Sequence, residues 1–285
     1  TLPLDELSDF FSTLRLNKYE EKIGKRLLSE INNRLDFLKN VGLTYLTLNR
    51  TSNTLSGGES QRINSATSLG SSLVGSMYIL DEPSIGLHPK DTEQLIKVLK
   101  QLRNLGNTVI VVEHDEDIMK AADYIIDIGP EAGTHGGHIA AEGTYKDILK
   151  SDSLTSKYLS EELQISVPKT RRVSENFIQI TGARENNLKN INVRFPLDSL
   201  TVITGVSGSG KSTLVKKILY PLMQKKIIGY GEKIGQHTEM NGSFDHIKHV
   251  EFIDQNPIGR SSRSNPVTYI KAYDEIRALF ANQAL

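Results

Sequence analysis

Gly205-Val206-Ser207-Gly208-Ser209-Gly210-Lys211-Ser212 is a complete GxxxxGKS pattern, the signature of a phosphate-binding loop. An apolar run, Thr201 to Thr204, leads into it, and Thr213 to Leu222 reads as a helix leaving it. Glycines at these spacings let backbone N–H groups curl around phosphate oxygens, and the helix N-terminus adds a favourable dipole. The pattern predicts that Lys211 reaches the β- and γ-phosphates and that the Ser212 hydroxyl ligates magnesium. A buried strand, a loop and a helix in that order predict an α/β layered core with a parallel sheet.

The motifs that usually follow such a loop precede it here. Leu55-Ser56-Gly57-Gly58-Glu59 and the apolar run Met77-Tyr78-Ile79-Leu80, ending in Asp81-Glu82, both lie far upstream. The reversed order suggests the end of one nucleotide-binding core joined to the start of a second. Asp81 is placed to hold magnesium, directly or through water, and Glu82 to polarise an attacking water as general base. His114 ends the next apolar strand, Val109 to Glu113, so it is expected at the same edge of a parallel sheet, where ligands gather. Alone it reads as a surface histidine; beside Asp81-Glu82 it reads as a group that donates to a γ-phosphate or holds the water. Ser56 can cap the helix that follows, and Gly57 and Gly58 leave its N–H groups open to an anion.

Around these motifs the pattern alternates between strands and helices. Residues 11–40 read as one helix with Ile23, Leu27, Ile31, Leu35 and Leu38 on its packing face. A second helix is expected over roughly 59–72. Met77 to Leu80 and Val109 to Val112 read as buried parallel strands. Between them a helix begins near Pro89, buries Leu95, Val98, Leu99 and Leu102, and stops at Gly106. Residues 115–122 read as a short helix and Tyr124 to Ile128 as a third strand. The polar stretch 151–175, with Pro168, Lys169, Arg171 and Arg172, reads as a solvated connection between cores. A new strand starts near Phe177, residues 224–248 read as an insertion or mobile loop, and 271–281 as a final helix.

Composition excludes more than it assigns. The 34 basic residues equal the 34 acidic ones, so there is no global pull toward nucleic acid or an anionic membrane. There is no cysteine, which removes disulfides and cysteine zinc sites from this span. No apolar run approaches the ~20 residues needed to cross a bilayer. No secretory signal opens the chain, and a start at Thr1 without methionine reads as an excised piece.

LSGGE before an acidic strand, then a histidine after a second strand, resembles the ABC ATPases. The match narrows with TLSGGESQRI, YILDEPSIGLHP, GNTVIVVEHDED, DIGPEAGTHGG, ITGARENNLKNI, GVSGSGKSTL and DQNPIGRSSRSNPVTY. Together these blocks resemble the UvrA family, the damage-recognition subunits of bacterial excinuclease. LSGGE and GxxxxGKS are superfamily-wide; Asp127 to Gly137 and Asp254 to Tyr269 are the specific segments.

The resemblance implies two ABC cores in one polypeptide, each a P-loop α/β fold with a mixed or parallel sheet, flanking helices and a helical signature subdomain. On that basis 1–75 is the signature subdomain of core I and 76–150 the second half of core I. Residues 151–175 are the linker, 176–223 the first half of core II, and 224–285 its insertion, Gln-loop and the start of signature subdomain II. It implies ATP binding by Gly205, Ser207, Gly208, Ser209, Gly210, Lys211, Ser212 and Thr213, with Ser56, Gly57 and Gly58 meeting the γ-phosphate of ATP on the opposite core. Magnesium falls to Ser212, Asp81 and the Gln-loop residue Gln255, and Glu82 and His114 are catalytic. Ser84 to His88 corresponds to the D-loop, which touches the facing core.

By head-to-tail pairing, Lys211 and Ser212 share a site with Ser56, Gly57 and Gly58, whereas Asp81, Glu82 and His114 serve the other site. With neither site complete, the chain alone is expected to bind ATP weakly and to hydrolyse it negligibly. A second subunit, UvrB and damaged duplex DNA are the implied partners, in the cytoplasm. Arg260 and Arg263, and less so Lys225, Lys226 and Lys233, are DNA-contact candidates. The family's zinc modules are cysteine-based and fall outside this span.

One departure and two alternative readings stand out. Thr181 to Asn187 holds no aromatic residue for stacking adenine. A circular permutation of one core, placing Lys211 and Asp81 in one hybrid site, has the same motif order. The motor subunit of a membrane transporter shares the signature, acid pair and histidine, but normally places its glycine loop first.

Overall fold

In the computed structural model, residues 2–55, 59–60, 62–63, 66, 74–254 and 265–283 are described. Ser56, Gly57, Gly58, Gln255, Arg260 and Arg263 lie outside them. The chain divides into two units, Thr1–Val250 and Glu251–Leu285. It is mixed α/β.

The first unit opens with two helices, α1 (Leu4–Thr13) and α2 (Lys18–Asn40). The single helix expected over 11–40 is interrupted because Asn17 caps a new start. Its side chain accepts from the Tyr19 and Glu20 backbone N–H groups at 3.0 and 2.9 Å, and Glu20 accepts back from the Asn17 N–H at 3.0 Å. The predicted stripe packs only in its second half. Leu35 is buried with Leu4, Val41, Leu43, Leu46 and Ala66, and Ile31 and Leu38 lie against them, whereas Ile23 and Leu27 are exposed.

Strand β1 (Met77–Asp81) pairs in parallel with β2 (Thr108–Val112), so that Asp81 stands opposite Val112. The crossover is α3 (Pro89–Asn104), which buries Leu95, Val98, Leu99 and Leu102 as its pattern predicts. Pro89 sits in its first turn, and Gly106 follows its end with φ +89°. Helix α4 (Glu116–Ala121) adds Ile118 to Leu80, Leu95 and Leu99. The two strands are not buried on both faces as expected: Met77 and Ile79 are 62% and 70% exposed, and Ile110 and Val112 are also exposed. Among the described residues, packing comes from the face that carries α3, α4 and Phe37 of α2, so alternate side chains face outward.

Elsewhere the sheets are antiparallel, so the parallel pairing read from the strand–helix alternation is confined, among the described residues, to β1 and β2. Strand β3 (Ile125–Gly129) pairs with β4 (His138–Gly143), a strand the alternation did not reveal. Two short helices, α5 (Tyr145–Ile148) and α6 (Leu154–Leu159), follow; α6 falls within the stretch read as a connection. Strand β5 (Phe177–Ala183) lies between β6 (Ile191–Pro196) and β7 (Glu239–Gly242), antiparallel to both. The polar, glycine-bearing stretch 224–248 thus supplies a strand. Against this sheet pack a π-helical segment, Thr213–Leu219, and the helix α7 (Tyr220–Ile228) that continues it. Ile180, Ala183, Phe195, Leu214, Ile218 and Leu222 form the core there.

The strand expected at Thr201–Thr204 does not form. These residues are irregular, Val202 is 76% exposed, and only Ile203 packs on the core. A strand needs a neighbour to satisfy its backbone N–H and C=O groups, and the three-stranded sheet does not include this segment. The second unit carries α8 (Pro266–Tyr269) and α9 (Ala272–Ala281), close to the helix expected at 271–281. Among the described residues no helix is long and apolar enough to cross a membrane.

Candidate functional site

The glycine loop is braced by the turn between β5 and β6. The Asn187 side-chain amide donates to the Gly208 carbonyl at 2.7 Å, and that of Asn186 to the Thr213 hydroxyl at 3.3 Å. Gly210 has φ +103°, a conformation that side-chain-bearing residues rarely adopt, so the backbone there favours glycine. The Lys211 amine folds back to donate to the carbonyls of Gly205 and Val206 at 2.7 and 3.0 Å. The helix that follows opens at Lys211 and Ser212. Its first-turn N–H groups have no acceptor within the helix, which makes this end fit an anion. Backbone donors, a lysine amine and the exposed Ser212 hydroxyl form a donor set suited to phosphate with a bound magnesium. Asn186 and Asn187 escaped the sequence reading. Asn186 adopts φ +52°, a conformation that asparagine tolerates, so the asparagine pair just before Leu188 was the available signal.

At the end of β1, Glu82 leaves the strand with φ +44°, a strained conformation for a non-glycine residue. Its backbone N–H donates to the Val112 carbonyl at 2.9 Å. The turn aims its carboxylate at His114, with Oε1 3.5 Å from Nε2. The histidine side chain is 82% exposed, so the pair contributes little to stability and is open to a ligand. Glu113, which sequence reasoning passed over, fastens this edge. Its carboxylate accepts from the Ser84 N–H and hydroxyl at 2.7 and 2.8 Å, and from the N–H groups of His114 and Asp115 at 3.0 and 3.3 Å. One side chain therefore ties the segment after the acid pair to the residue carrying the imidazole. Among the described residues no group of three or more histidine, aspartate and glutamate side chains could hold a metal by itself.

Glu59, next in sequence after Gly57 and Gly58, is 5% exposed. A buried carboxylate needs donors. Tyr45 supplies its hydroxyl at 2.7 Å and Arg50 a guanidinium nitrogen at 3.5 Å. Burial, and then the bond to Glu59, push the Tyr45 phenol well above its ordinary range. Arg62, also buried, donates to the Val41 carbonyl at 3.2 Å and faces Asp91 of α3 at 3.9 Å.

The Tyr45 ring also reaches the glycine loop. Gly208 has φ +76°, and a Cβ there would sit 2.5 Å from Cε2 and Cζ of Tyr45. The residues around the first motif and the loop of the second are thus brought together within one unit.

No family model matches this chain. It is 54% identical over 274 residues to UvrABC system protein A of Staphylococcus epidermidis, covering 95% of this chain and 29% of that protein. It is 53% identical over 284 residues to UvrABC system protein A of Clostridium acetobutylicum, covering 99% of the chain and 30% of that protein. The crystal structure of UvrA2 from Deinococcus radiodurans matches 99% of the chain with a TM-score of 0.84 at 40% identity, and the match spans 35% of that protein. The chain therefore spans about a third of the length of the relatives it matches.

Proposed function

We propose that this chain, a UvrA-family segment by its similarity to these relatives, joins the end of one ABC-type ATPase core to the start of a second. Residues 1–75 serve as the first core's signature subdomain and 76–150 as its second half; 151–175 connect to the second core, which begins at 176–223. ATP with magnesium is the ligand. Gly205, Ser207, Gly208, Ser209 and Gly210 wrap the phosphates with the N–H groups of Ser212 and Thr213, Lys211 neutralises them, and Ser212 and Gln255 hold magnesium. Ser56, Gly57 and Gly58 close that site from the other side. Asp81, Glu82 and His114 do the corresponding work at a second site: metal ligation, water activation and γ-phosphate contact.

The contact of Tyr45 with Gly208 is the observation that supports this pairing most strongly, because Tyr45 is bonded to the residue that follows Gly57-Gly58. In a full-length relative, nucleotide state at these paired sites would gate binding of damaged duplex DNA and loading of UvrB, with Arg260 and Arg263 among the phosphate contacts.

Titration of this chain with magnesium-ATP tests the reading. Weak binding that Lys211→Ala abolishes, with negligible turnover, is the expected result. Turnover at a rate of roughly 1 s⁻¹ or more, typical of complete enzymes, that Lys211→Ala removes would contradict the assignment of two incomplete sites.

A further inference from the structure

We infer that Tyr45 is a positioning residue for the nucleotide site, transmitting the conformation of the glycine loop at Gly208 to the signature segment through Glu59. The inference rests on the proposed ATP site, and it goes beyond that reading by assigning a role to a residue outside every motif.

The geometry supports three steps. The ring lies so close to Gly208 that a single added carbon would come within 2.5 Å of Cε2 and Cζ, so a shift of the loop backbone is met by the ring. The hydroxyl at the far end of the same rigid ring donates to Glu59 at 2.7 Å. Glu59 follows Gly57-Gly58 directly and is buried, with Arg50 as a further donor, so its carboxylate holds a defined position. Packing alone would be served by phenylalanine, which fills the same space. The hydroxyl adds a link between two segments more than a hundred and forty residues apart in sequence, Glu59 and Gly208. In the proposed site a γ-phosphate would meet both the loop and Gly57-Gly58, whereas ADP would meet the loop alone. The link should therefore affect discrimination between the two nucleotides more than affinity for either.

The test measures ATP and ADP affinity, each with magnesium, for this chain and for Tyr45→Phe, Tyr45→Ala and Lys211→Ala, with thermal melts alongside. The expected result is that Tyr45→Phe lowers the ATP-to-ADP preference roughly fivefold, the worth of one hydrogen bond. ADP affinity stays within about twofold of the parent, and Tyr45→Ala lowers the preference at least as far. An unchanged preference in both Tyr45 variants, with binding still abolished by Lys211→Ala, overturns the role of Tyr45 and leaves the ATP site standing. Equal losses for ATP and ADP in Tyr45→Phe, accompanied by a lowered melting temperature, also overturn it, because they mark a purely structural residue. If the parent chain shows no Lys211-dependent binding, the ATP reading fails and takes this inference with it.

Discussion

The two strand systems carry their motifs on unlike foundations. β1 and β2 are covered on one face, leave Ile79 and Ile110 exposed, and end in an acid pair whose neighbours are fastened mainly by local bonds to Glu113. β5 keeps Ile178 and Ile180 buried, and the loop next to its sheet is braced by Asn187 from one direction and Tyr45 from another. Under the proposed function, the motif at the tip of the half-covered strand pair is a half-site open to another surface, whereas the loop with supports on two sides is already held in place. The two motifs, in reversed order along one chain, rest on unequal support.

The largest test of that contrast is stability. Ile218→Ala, which empties a fully buried position under the glycine-loop helix, is expected to cost about 2–5 kcal/mol in chemical denaturation. Ile110→Ala on the open face is expected to cost less than about 1 kcal/mol. Similar losses at the two positions would show that the β1–β2 face is covered after all.

Next comes affinity. Lys211→Ala removes a charge-assisted donor and is expected to weaken the already weak ATP binding by roughly 10- to 100-fold or more, below detection by calorimetry, whereas Glu82→Gln should leave it within about twofold.

Glu113→Gln sharpens the account of the acidic edge. A neutral amide cannot accept all four bonds that the carboxylate takes from Ser84, His114 and Asp115. Hydrogen exchange at the Ser84 amide is expected to accelerate roughly tenfold, while exchange in β5 stays unchanged.

The smallest effect is the pH dependence of Tyr45. Its folded pKa lies above the ordinary value of 10.0, first through burial and then through Glu59. Above pH 10 the unfolded chain releases this proton before the folded one, so the unfolded state binds fewer protons and stability falls as pH rises. The contribution is complete below pH 10. Tyr45→Phe should therefore lose stability less steeply than the parent above pH 10 in denaturation midpoints; parallel profiles would contradict the buried neutral phenol.

Much of this was legible from residue patterns. α3 buries the face its periodicity predicted, β1 and β2 occupy the predicted apolar runs, and His114 emerges beside Glu82. Those features depend on local periodicity and on strand direction. What periodicity could not reveal depends on partners. Thr201–Thr204 has the composition of a buried strand but, among the described residues, no strand to pair with, and β7 reads as loop because Glu239–Gly242 offers a single apolar side chain, Met240, to the core. Sequence alone also left Ile23 and Leu27 indistinguishable from Ile31 and Leu35, since a helical stripe marks a face without marking how far its partner extends. No motif assigns a role to Tyr45 or Glu113. Their importance lies in contacts with Gly208 and Ser84, far away in sequence.

Under the proposed function, the glycine loop belongs with the signature segment and not with the acid pair of β1. Magnesium-ATP affinity of this chain, measured for Gly58→Asp and Asp81→Asn side by side, tests it most directly. Gly58→Asp, which would set a negative charge against the γ-phosphate in the proposed site, is expected to weaken binding by roughly tenfold or more, while Asp81→Asn stays within about twofold of the parent. A loss in Asp81→Asn as large as that in Lys211→Ala, with Gly58→Asp unchanged, would place Asp81 and Lys211 in one hybrid site and contradict it.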